Sequence, residues 1–362
     1  MAGTTPPLAA VGWWTRASDI RSDLLSRHPH LAPKLTFRLG RGVLVLESHE
    51  PSFRDRFREI YRECEAPDAS ADPDRTLACT IASKEGSPAI LASFPGPKTP
   101  DFMDFSLAVL GDRGYRETPS IVRGWRLLVD PGLPSSPLAA ARGAECLAER
   151  GRAWQALVGS FAVNCALRLQ PEMIFLHAAS VVLGGRGAIL VGAKGSGKTT
   201  LSLALAARGH GFLGDEVAAV DSKAWEVIPL RRAVSVRQGP ASREAAGRLE
   251  ELNPALESFP DGSTRRRAHV RDLFPGSKAD PAPLACVFFL GRPGPRASMK
   301  EIVPRASDLA RLTPLAGTLW RRESGYHLSK LLQLVSRSRC FTLDPGDPDE
   351  TEALIERAVE GS

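Results

Sequence analysis

The sequence predicts an α/β protein of two domains, a strand-rich α+β domain over residues 1–140 and a larger α/β domain over 141–362. Three observations predict this. The chain has 362 residues, 43% of them hydrophobic and 24% charged, which is enough to bury two cores. Short apolar runs between turn residues dominate the first part. In the second part a buried strand, a glycine-rich loop and a helix follow one another directly.

Alternation of apolar and polar residues predicts a hairpin near the start of the first domain. Its strands cover Lys34 to Leu39 and Val43 to Glu47, around the turn Gly40-Arg41-Gly42. Apolar residues at helical spacing predict a helix over Phe53 to Cys64. Further strands are predicted over Leu77 to Ser83, Ala89 to Ser93, Phe105 to Leu110 and Ile121 to Val129. We expect this domain to serve substrate recognition or homo-oligomerisation.

Turn-forming residues predict where the two domains meet. The stretch Asp130 to Pro137 is rich in Pro, Gly and Ser and precedes a helical segment, so we expect a boundary near residue 140. The pattern over Arg152 to Leu169 predicts a mostly buried helix that leads into the second domain.

Composition excludes several classes of protein. No run approaches the ~18 apolar residues of a membrane helix, and the first residues lack the order of a signal peptide, so we expect a cytoplasmic protein without a membrane partner. The six cysteines have no metal-ligand spacing and predict buried free thiols. A net charge of +6 suits an anionic partner such as ATP or an acidic substrate, and no nucleic acid is expected.

The glycine-rich loop has the pattern of a phosphate-binding P-loop. Residues 188–191 predict a strand, GAKGSGKT follows, and TLSLALAARG predicts a helix that ends at Gly209. Glycines let consecutive backbone N–H groups point at phosphate oxygens, and the start of a helix adds positive potential. We therefore predict binding of ATP with Mg²⁺ by Gly192, Ala193, Lys194, Gly195, Ser196, Gly197, Lys198, Thr199 and Thr200. A glycine-rich turn without nucleotide is the alternative.

Within this loop, Lys198 and Thr199 have separate predicted roles. The Lys198 ammonium should reach the terminal phosphates, and the Thr199 hydroxyl should coordinate the Mg²⁺ that bridges them.

A second hairpin is predicted just before the loop. Ser180 to Leu183 and Ala188 to Val191 flank the turn sequence Gly184-Gly185-Arg186-Gly187. That register sets Ala179 opposite Gly192 and places His177 beside the level of Lys194. His177 is then a candidate contact for the γ-phosphate or the acceptor; the alternative is a core histidine.

Two acids follow the next apolar run. Asp215 and Glu216 come directly after Phe212-Leu213-Gly214, which resembles a Walker B position where a carboxylate holds Mg²⁺ or orients a nucleophile. A surface turn is the alternative. Several basic residues are candidates to clamp phosphate or an acidic substrate, or are solvated: Arg231, Arg232, Arg237, the run Arg265-Arg266-Arg267 and His269.

The residues HAASVVLGGRGAILVGAKGSGKTTLSLALAARGHGFLGDE resemble the catalytic domain of the HPr serine kinase/phosphorylases, and more closely the HPr-kinase-related proteins of peptide-modification gene clusters. Three spacings match together: His177 lies 21 positions before Lys198, the loop ends in Lys-Thr, and the acidic pair begins 17 positions after Lys198. The resemblance covers roughly residues 170–345. The longer glycine-rich signature of that family is not recognisable.

The resemblance implies a P-loop kinase core with a mixed sheet, related to phosphoenolpyruvate carboxykinase. It also implies that His177 is the active-site histidine, that Lys198 and Thr199 contact phosphate and metal, and that Glu216 accepts a proton beside Asp215. Asp215 either holds the metal or shares the role of base.

The sequence thus predicts an ATP-dependent kinase that phosphorylates a Ser/Thr hydroxyl of a small protein or peptide, such as a ribosomally made precursor peptide. Two alternatives remain open, a nucleotide-binding regulatory or assembly module with weak ATPase activity and a small-molecule kinase.

Overall fold

The structure is a computed structural model that describes residues 13–26, 33–69, 72–87, 89–96, 99–110, 114–120, 122–130, 132, 137–149, 154–237, 243–252, 254, 256–258, 264–305, 307–309, 312 and 324–361. The chain forms two compact units. The first comprises Met1–Glu59 and Glu65–Gln170, and the second comprises Ile60–Cys64 and Pro171–Ser362.

The strands of the first unit form one sheet. They are β1 (Lys34–Leu39), β2 (Gly42–Ser48), β3 (Thr76–Ala82), β4 (Ala89–Ser93), β5 (Arg116–Pro119), β6 (Arg126–Val129), β7 (Ala139–Arg142) and β8 (Glu145–Glu149). Their order is β1-β2-β3-β4-β8-β7-β6-β5. β2 and β3 pair in parallel and the other neighbours are antiparallel. The predicted hairpin of β1 and β2 is confirmed, with Leu39 opposite Gly42.

Helices cover this sheet with aromatic side chains. They are α1 (Ala17–Leu25), α2 (Pro51–Tyr61, whose last two residues belong to the second unit), α3 (Phe102–Leu110) and α4 (Trp154–Arg168). Phe161 of α4 meets Phe94, Phe102 and Phe105 edge-on, with ring centroids 4.7, 4.9 and 5.1 Å away. Such edge-to-face pairs stabilise a core beyond their buried area.

One predicted strand of this unit is a helix. Phe105 to Leu110 lies within α3, because Asp101 caps the helix by accepting from the N–H of Met103 at 2.8 Å. Phe102 and Phe105 then share one helix face, which packs on Phe161. The strand predicted over 121–129 is shorter than expected, since β6 begins only at Arg126 and residue 121 lies outside the described residues.

The division between the units lies between Gln170 and Pro171, and this replaces the boundary expected near residue 140. The alanine-rich residues after Pro137 form the strands β7 and β8, not a helix. β8 pairs with β4 over its whole length, so the segment belongs to the first sheet. The helix predicted over 152–169 forms as α4, and it belongs to the first unit. Sheet pairing overrode the helix propensity of alanine.

Two sheets build the second unit. Its strands are β9 (Met173–Leu176), β10 (Ala179–Leu183), β11 (Arg186–Val191), β12 (Gly211–Gly214), β13 (Ala218–Asp221), β14 (Glu226–Ile228), β15 (Val234–Arg237), β16 (Leu256–Ser258), β17 (Thr264–Ala268), β18 (Ala282–Leu290), β19 (Ser298–Ile302) and β20 (Arg339–Asp344). The larger sheet has the order β12-β10-β11-β18-β14-β13-β9, with β20 beside β18 and β19 beside β20. The smaller sheet has the order β15-β17-β16.

The larger sheet is mixed. β11, β18 and β20 run parallel, whereas β10 is antiparallel to both β11 and β12. The predicted mixed α/β class is therefore confirmed.

Helices cover both faces of this sheet. α5 (Lys198–Ala207) and α9 (Pro348–Glu360) pack on one face and α8 (Ser324–Arg337) on the other, while α6 (Arg243–Leu252) and α7 (Val270–Leu273) pack beside α5. Ile189 and Val191 of β11 share a core with α8, while Ala188 and Leu190 share the other core with α5 and α9. Burial on both faces explains why β11 is apolar at every position from 188 to 191.

The hairpin of β10 and β11 has a tighter turn than the sequence predicted. Gly184 and Gly185 alone form the turn, with φ of 54° and 78°, as a two-residue hairpin loop requires. Leu183 therefore pairs with Arg186, and Ala179 pairs with Leu190, whereas the predicted register sets Ala179 opposite Gly192. The predicted hairpin is present, and its register is corrected by two residues.

All six cysteines are buried free thiols, as predicted. Among the described helices, none combines the length and the apolar character needed to cross a bilayer.

Candidate functional site

A tight glycine loop joins β11 to α5. Gly195 and Gly197 both have a φ of 88°, a region that side-chain-bearing residues rarely adopt. At Gly192 a Cβ would collide with the side chain of Ser196 and would lie 3.2 Å from the Cβ of Leu290. The loop closes with a hydrogen bond of 3.1 Å from the N–H of Ser196 to the carbonyl of Ala193. The glycines are therefore required by the geometry of the backbone.

The start of α5 lies at the end of this loop. Its N-cap residue is Gly197, so no side chain caps the first turn. Free N–H groups in that turn and the helix dipole together favour a negatively charged group. The hydroxyl of Ser196 is also buried without a hydrogen-bond partner among the described residues. The loop thus presents several donors in one place.

Lys198 folds back over the loop. Its side chain is buried, at 8% exposure. The ammonium donates to the carbonyl of Gly192 at 2.8 Å and to that of Ala193 at 3.2 Å. Burial lowers the pKa of Lys198, while the charges of Asp215 and Glu216 oppose the shift. A cation is therefore held between the loop and the acidic pair.

Thr199 and Asp215 form the most closely connected pair of the site. The Thr199 hydroxyl donates to both carboxylate oxygens of Asp215, at 3.0 and 2.8 Å. Asp215 directly follows the short strand β12 and is only 5% exposed. Burial, followed by repulsion from Glu216, raises the pKa of Asp215 to about 6, against the opposing effect of the Thr199 hydrogen bond. A hydroxyl and a carboxylate are oxygen ligands of the kind that Mg²⁺ prefers.

His177 and Glu216 lie beside this pair. The Nδ1 of His177 is 3.0 Å from the backbone carbonyl of Glu216, and 3.6 Å from its carboxylate, which is too long for a hydrogen bond. The shorter contact requires a proton on Nδ1, which donates to that carbonyl. Both side chains are partly exposed, at 36% and 46%. They are the groups of the site that a second substrate can reach.

The position of His177 differs from the predicted one. Extending the observed pairing of Ala179 with Leu190 sets His177 at the level of Gly192, not Lys194. His177 precedes β10 and faces the acidic pair, because the chain leaves β9 at Leu176 and enters β10 only at Ala179. It is not a core histidine, since more than a third of its side chain is exposed.

The remaining predicted loop residues surround this centre. Ala193, Lys194 and Gly195 are exposed, whereas Thr200 in the first turn of α5 is half-buried. The structure thus brings His177, Lys198, Thr199, Asp215 and Glu216 together.

The other basic candidates divide into two groups. Arg267 of β17 pairs with Glu257 of β16 at 3.1 Å, and Arg266 donates to the carbonyl of Pro254, which precedes β16. Arg231 donates from Nε to the carbonyl of Phe212 at 2.9 Å. Arg232 differs from these, since it lies near Asp215 and Glu216 and its charge affects the pKa of Asp215.

Sequence reasoning missed Tyr61. Its ring lies 5.8 Å from the Cζ of Arg232, and Tyr61 itself is buried. In the sequence Tyr61 is one of several apolar residues on the buried face of a helix, so no local signal distinguishes it. Only the tertiary fold places it here.

No protein-family model and no curated protein sequence matches the chain. Among the solved structures that match is the HPr(Ser) kinase/phosphatase from Coxiella burnetii. It shares 15% identity with this chain, covers 52% of this chain and 94% of its own, and has a TM-score of 0.26.

Proposed function

We propose that this protein is an ATP-dependent kinase that transfers the γ-phosphoryl group to a Ser or Thr hydroxyl of a small protein or peptide. The observation that carries the proposal is the hydrogen bond from Thr199, at the end of the glycine loop, to the buried Asp215. It joins a phosphate-binding pattern to an acidic pair in one site. The spacing of His177, Lys198 and the acidic pair supports the same assignment.

The residues present fit a nucleotide with Mg²⁺. The N–H groups of the loop and of the first turn of α5 would hold the phosphates, and Lys198 would leave the carbonyls of Gly192 and Ala193 to contact them. Thr199 and Asp215 would supply oxygen ligands to the metal. When bound, Mg²⁺ neutralises charge on the terminal phosphates.

Glu216 is the better general base of the two acids. Asp215 is buried and already accepts two contacts from Thr199, whereas Glu216 is exposed enough to meet an acceptor. Glu216 would take the proton of the acceptor hydroxyl as its oxygen bonds to the γ-phosphorus. The bond from the γ-phosphorus to the bridging oxygen breaks at the same time, and ADP leaves. His177, beside Glu216, would contact the γ-phosphate or the acceptor.

The acceptor follows from the exposure of the site. His177 and Glu216 are both open to solvent, as a site for a macromolecular hydroxyl requires. The resemblance to the kinase-related proteins of peptide-modification clusters favours a precursor peptide. A cytoplasmic location, a homo-oligomer and the absence of nucleic-acid partners remain predictions.

The test is an intact-mass assay with ATP, Mg²⁺ and the proteins or peptides encoded beside this gene. We expect the mass of one phosphoryl group to be added by the wild type. Lys198→Ala should lose this product, and Glu216→Gln should slow it by about 100-fold or more, as loss of a general base does. Asp280→Asn, which changes an exposed acid of the same unit, is the control and should match the wild type.

If ATP is consumed without a modified acceptor, at the same rate by wild type and Glu216→Gln, the protein is a nucleotide-binding module with ATPase activity.

A further inference from the structure

Arg232 lies close enough to the acidic pair for charge interactions with both carboxyls, on a segment hydrogen-bonded to β12. Leu230 donates its N–H to the carbonyl of Leu213 at 2.9 Å, and the Nε of Arg231 donates to that of Phe212. These bonds set residues 230–232 alongside the strand that delivers Asp215 and Glu216. Arg232 is therefore a second cation, after Lys198, whose charge acts on both acids.

The hydrogen-bonding capacity of the Arg232 guanidinium is not fully used within the described residues. Its Nε is fully buried and has no hydrogen-bond partner, and among the described residues none forms an ion pair with it. Burial lowers the pKa of Arg232, but Tyr61, Glu216 and Asp215 outweigh that effect and raise it. An N–H group that is buried without a hydrogen-bond acceptor destabilises a folded protein. Such a group is retained at a binding site where a ligand supplies the anion.

Tyr61 holds Arg232 in this position. The ring centroid lies 5.8 Å from the guanidinium carbon, within the range of a cation–π interaction. The segment Ile60–Cys64 is itself bonded to the neighbours of Arg232. Ala233 donates its N–H to the carbonyl of Ile60 at 2.7 Å, and the Cys64 thiol donates to the carbonyl of Arg231 at 3.2 Å. Tyr61 and Arg232 thus form one positioned pair.

We propose that Arg232, positioned by Tyr61, binds the γ-phosphate of the nucleotide and stabilises the negative charge on the phosphoryl group during transfer. The inference rests on the proposed function. In the proposed kinase, the γ-phosphoryl group would lie beside Lys198, Thr199 and the acidic pair. Arg232 is a second cation whose charge interacts with that pair. Its planar group binds two phosphate oxygens at once, which a lysine cannot do. The β-phosphate, held by the loop, needs no contact with Arg232.

The experiment compares AMP-PNP with ADP, each with Mg²⁺, by calorimetry on the full-length protein. Arg232→Met should weaken AMP-PNP by about 10- to 100-fold, the range for a lost charge-assisted hydrogen bond, and change ADP affinity by less than about threefold. Arg271→Met, which replaces an exposed arginine of α7, should match the wild type for both nucleotides. Equal affinities of Arg232→Met and wild type for AMP-PNP overturn the inference.

A stability measurement separates a binding role from a structural one. Without nucleotide, Arg232→Met loses one unsatisfied N–H together with the cation–π contact to Tyr61, so its Tm should change little. A lower Tm together with an unchanged ratio of AMP-PNP to ADP affinity shows a structural role and overturns the inference.

Two further variants keep the test decisive if Arg232→Met does not fold. Arg232→Lys keeps the charge but not the planar group, and should still weaken AMP-PNP selectively. Tyr61→Leu should do the same, and its effect should not add to that of Arg232→Met, because the two residues act as one pair. Independent, additive losses would contradict the positioning role of Tyr61.

Failure of the inference can be told from failure of the proposed function. If the wild type binds neither AMP-PNP nor ADP, both fail. If the wild type binds both nucleotides and Lys198→Ala loses them, while Arg232→Met behaves as wild type, only the inference fails.

Discussion

Asp215 shows how a single buried residue contributes to a site at the expense of stability. Its carboxyl is surrounded by protein, and the nearest groups that favour its charge are the Thr199 hydroxyl and two cations. These do not offset burial, because the pKa remains raised. The residue pattern of the sequence identified Asp215 as a candidate, but its burial and its bond to Thr199 required the structure.

The raised pKa of Asp215 predicts how stability depends on pH. The carboxyl titrates near pH 6 when folded and near its usual value of 3.8 when unfolded, so the folded protein binds more protons between these values. Its contribution to the free energy of unfolding therefore falls as pH rises through that window. Asp215→Asn should be more stable than the wild type by about 2–3 kcal/mol at pH 7.5, and equally stable near pH 4.

Urea denaturation with EDTA at the two pH values measures this difference. Asp280→Asn is the control and should show no such change. The same Asp215→Asn variant should lose Mg²⁺-dependent binding of AMP-PNP, since a neutral amide is a poor ligand for the metal. A variant less stable than the wild type at pH 7.5 would contradict the prediction.

Elements whose signals are local were predicted well. The hairpins of β1–β2 and β10–β11, the glycine loop and α5 with its left-handed Gly209 all depend on residues within a few positions of one another. Elements decided by distant partners were not. The strand predicted over Phe105 to Leu110 lies within α3 instead, because the Asp101 cap and the packing on Phe161 favour the helix.

The glycine loop makes an element-scale prediction. Gly192→Ala places a methyl group against the side chain of Ser196, which must then move together with the loop. We expect a loss of about 1–3 kcal/mol of stability from overpacking, and a loss of AMP-PNP affinity of about tenfold or more. Thermal denaturation and calorimetry measure both.

A double variant tests the cause. Ser196→Gly removes both atoms of Ser196 that would meet the new methyl group, so Gly192→Ala with Ser196→Gly should recover part of the lost stability. Gly276→Ala, at a position with open space around it, should have no effect. Failure of the double variant to recover stability would place the strain elsewhere in the loop.

The division of the whole molecule was the least predictable feature. The boundary expected near residue 140 came from a turn-rich stretch, yet the strands that follow it complete the first sheet. The second unit also takes Ile60–Cys64 from far earlier in the chain, through bonds such as that of Cys64 to Arg231, 167 positions apart. Composition and periodicity do not predict contacts between segments that are so far apart in the sequence.

This division predicts the behaviour of a fragment. A fragment of residues 171–362 lacks Ile60–Cys64. The N–H of the buried Ala233 therefore loses its acceptor, the carbonyl of Ile60, and Arg232 loses its contact with the Tyr61 ring. We expect the fragment to be less stable than the same unit in the full chain by roughly 1–3 kcal/mol, the cost of a buried donor left unsatisfied. Differential scanning calorimetry provides the comparison.

A peptide of residues 55–66 added in excess is the matched control. It should raise the Tm of the fragment in a concentration-dependent way, as a ligand of the folded state does. A fragment as stable as the full-length unit, and unaffected by the peptide, would contradict the assignment of this segment to the second unit.

The sequence by itself determined the mixed α/β class, the glycine loop with its flanking strand and helix, and the candidate residues His177, Lys198, Asp215 and Glu216. These follow from turn chemistry and hydrophobic periodicity, which depend on neighbours along the chain. The tertiary structure alone decided the register that sets His177 beside Glu216, the division at Gln170 and the pairing of Tyr61 with Arg232. Each of these depends on contacts between distant segments, whose free energy of packing no local pattern encodes.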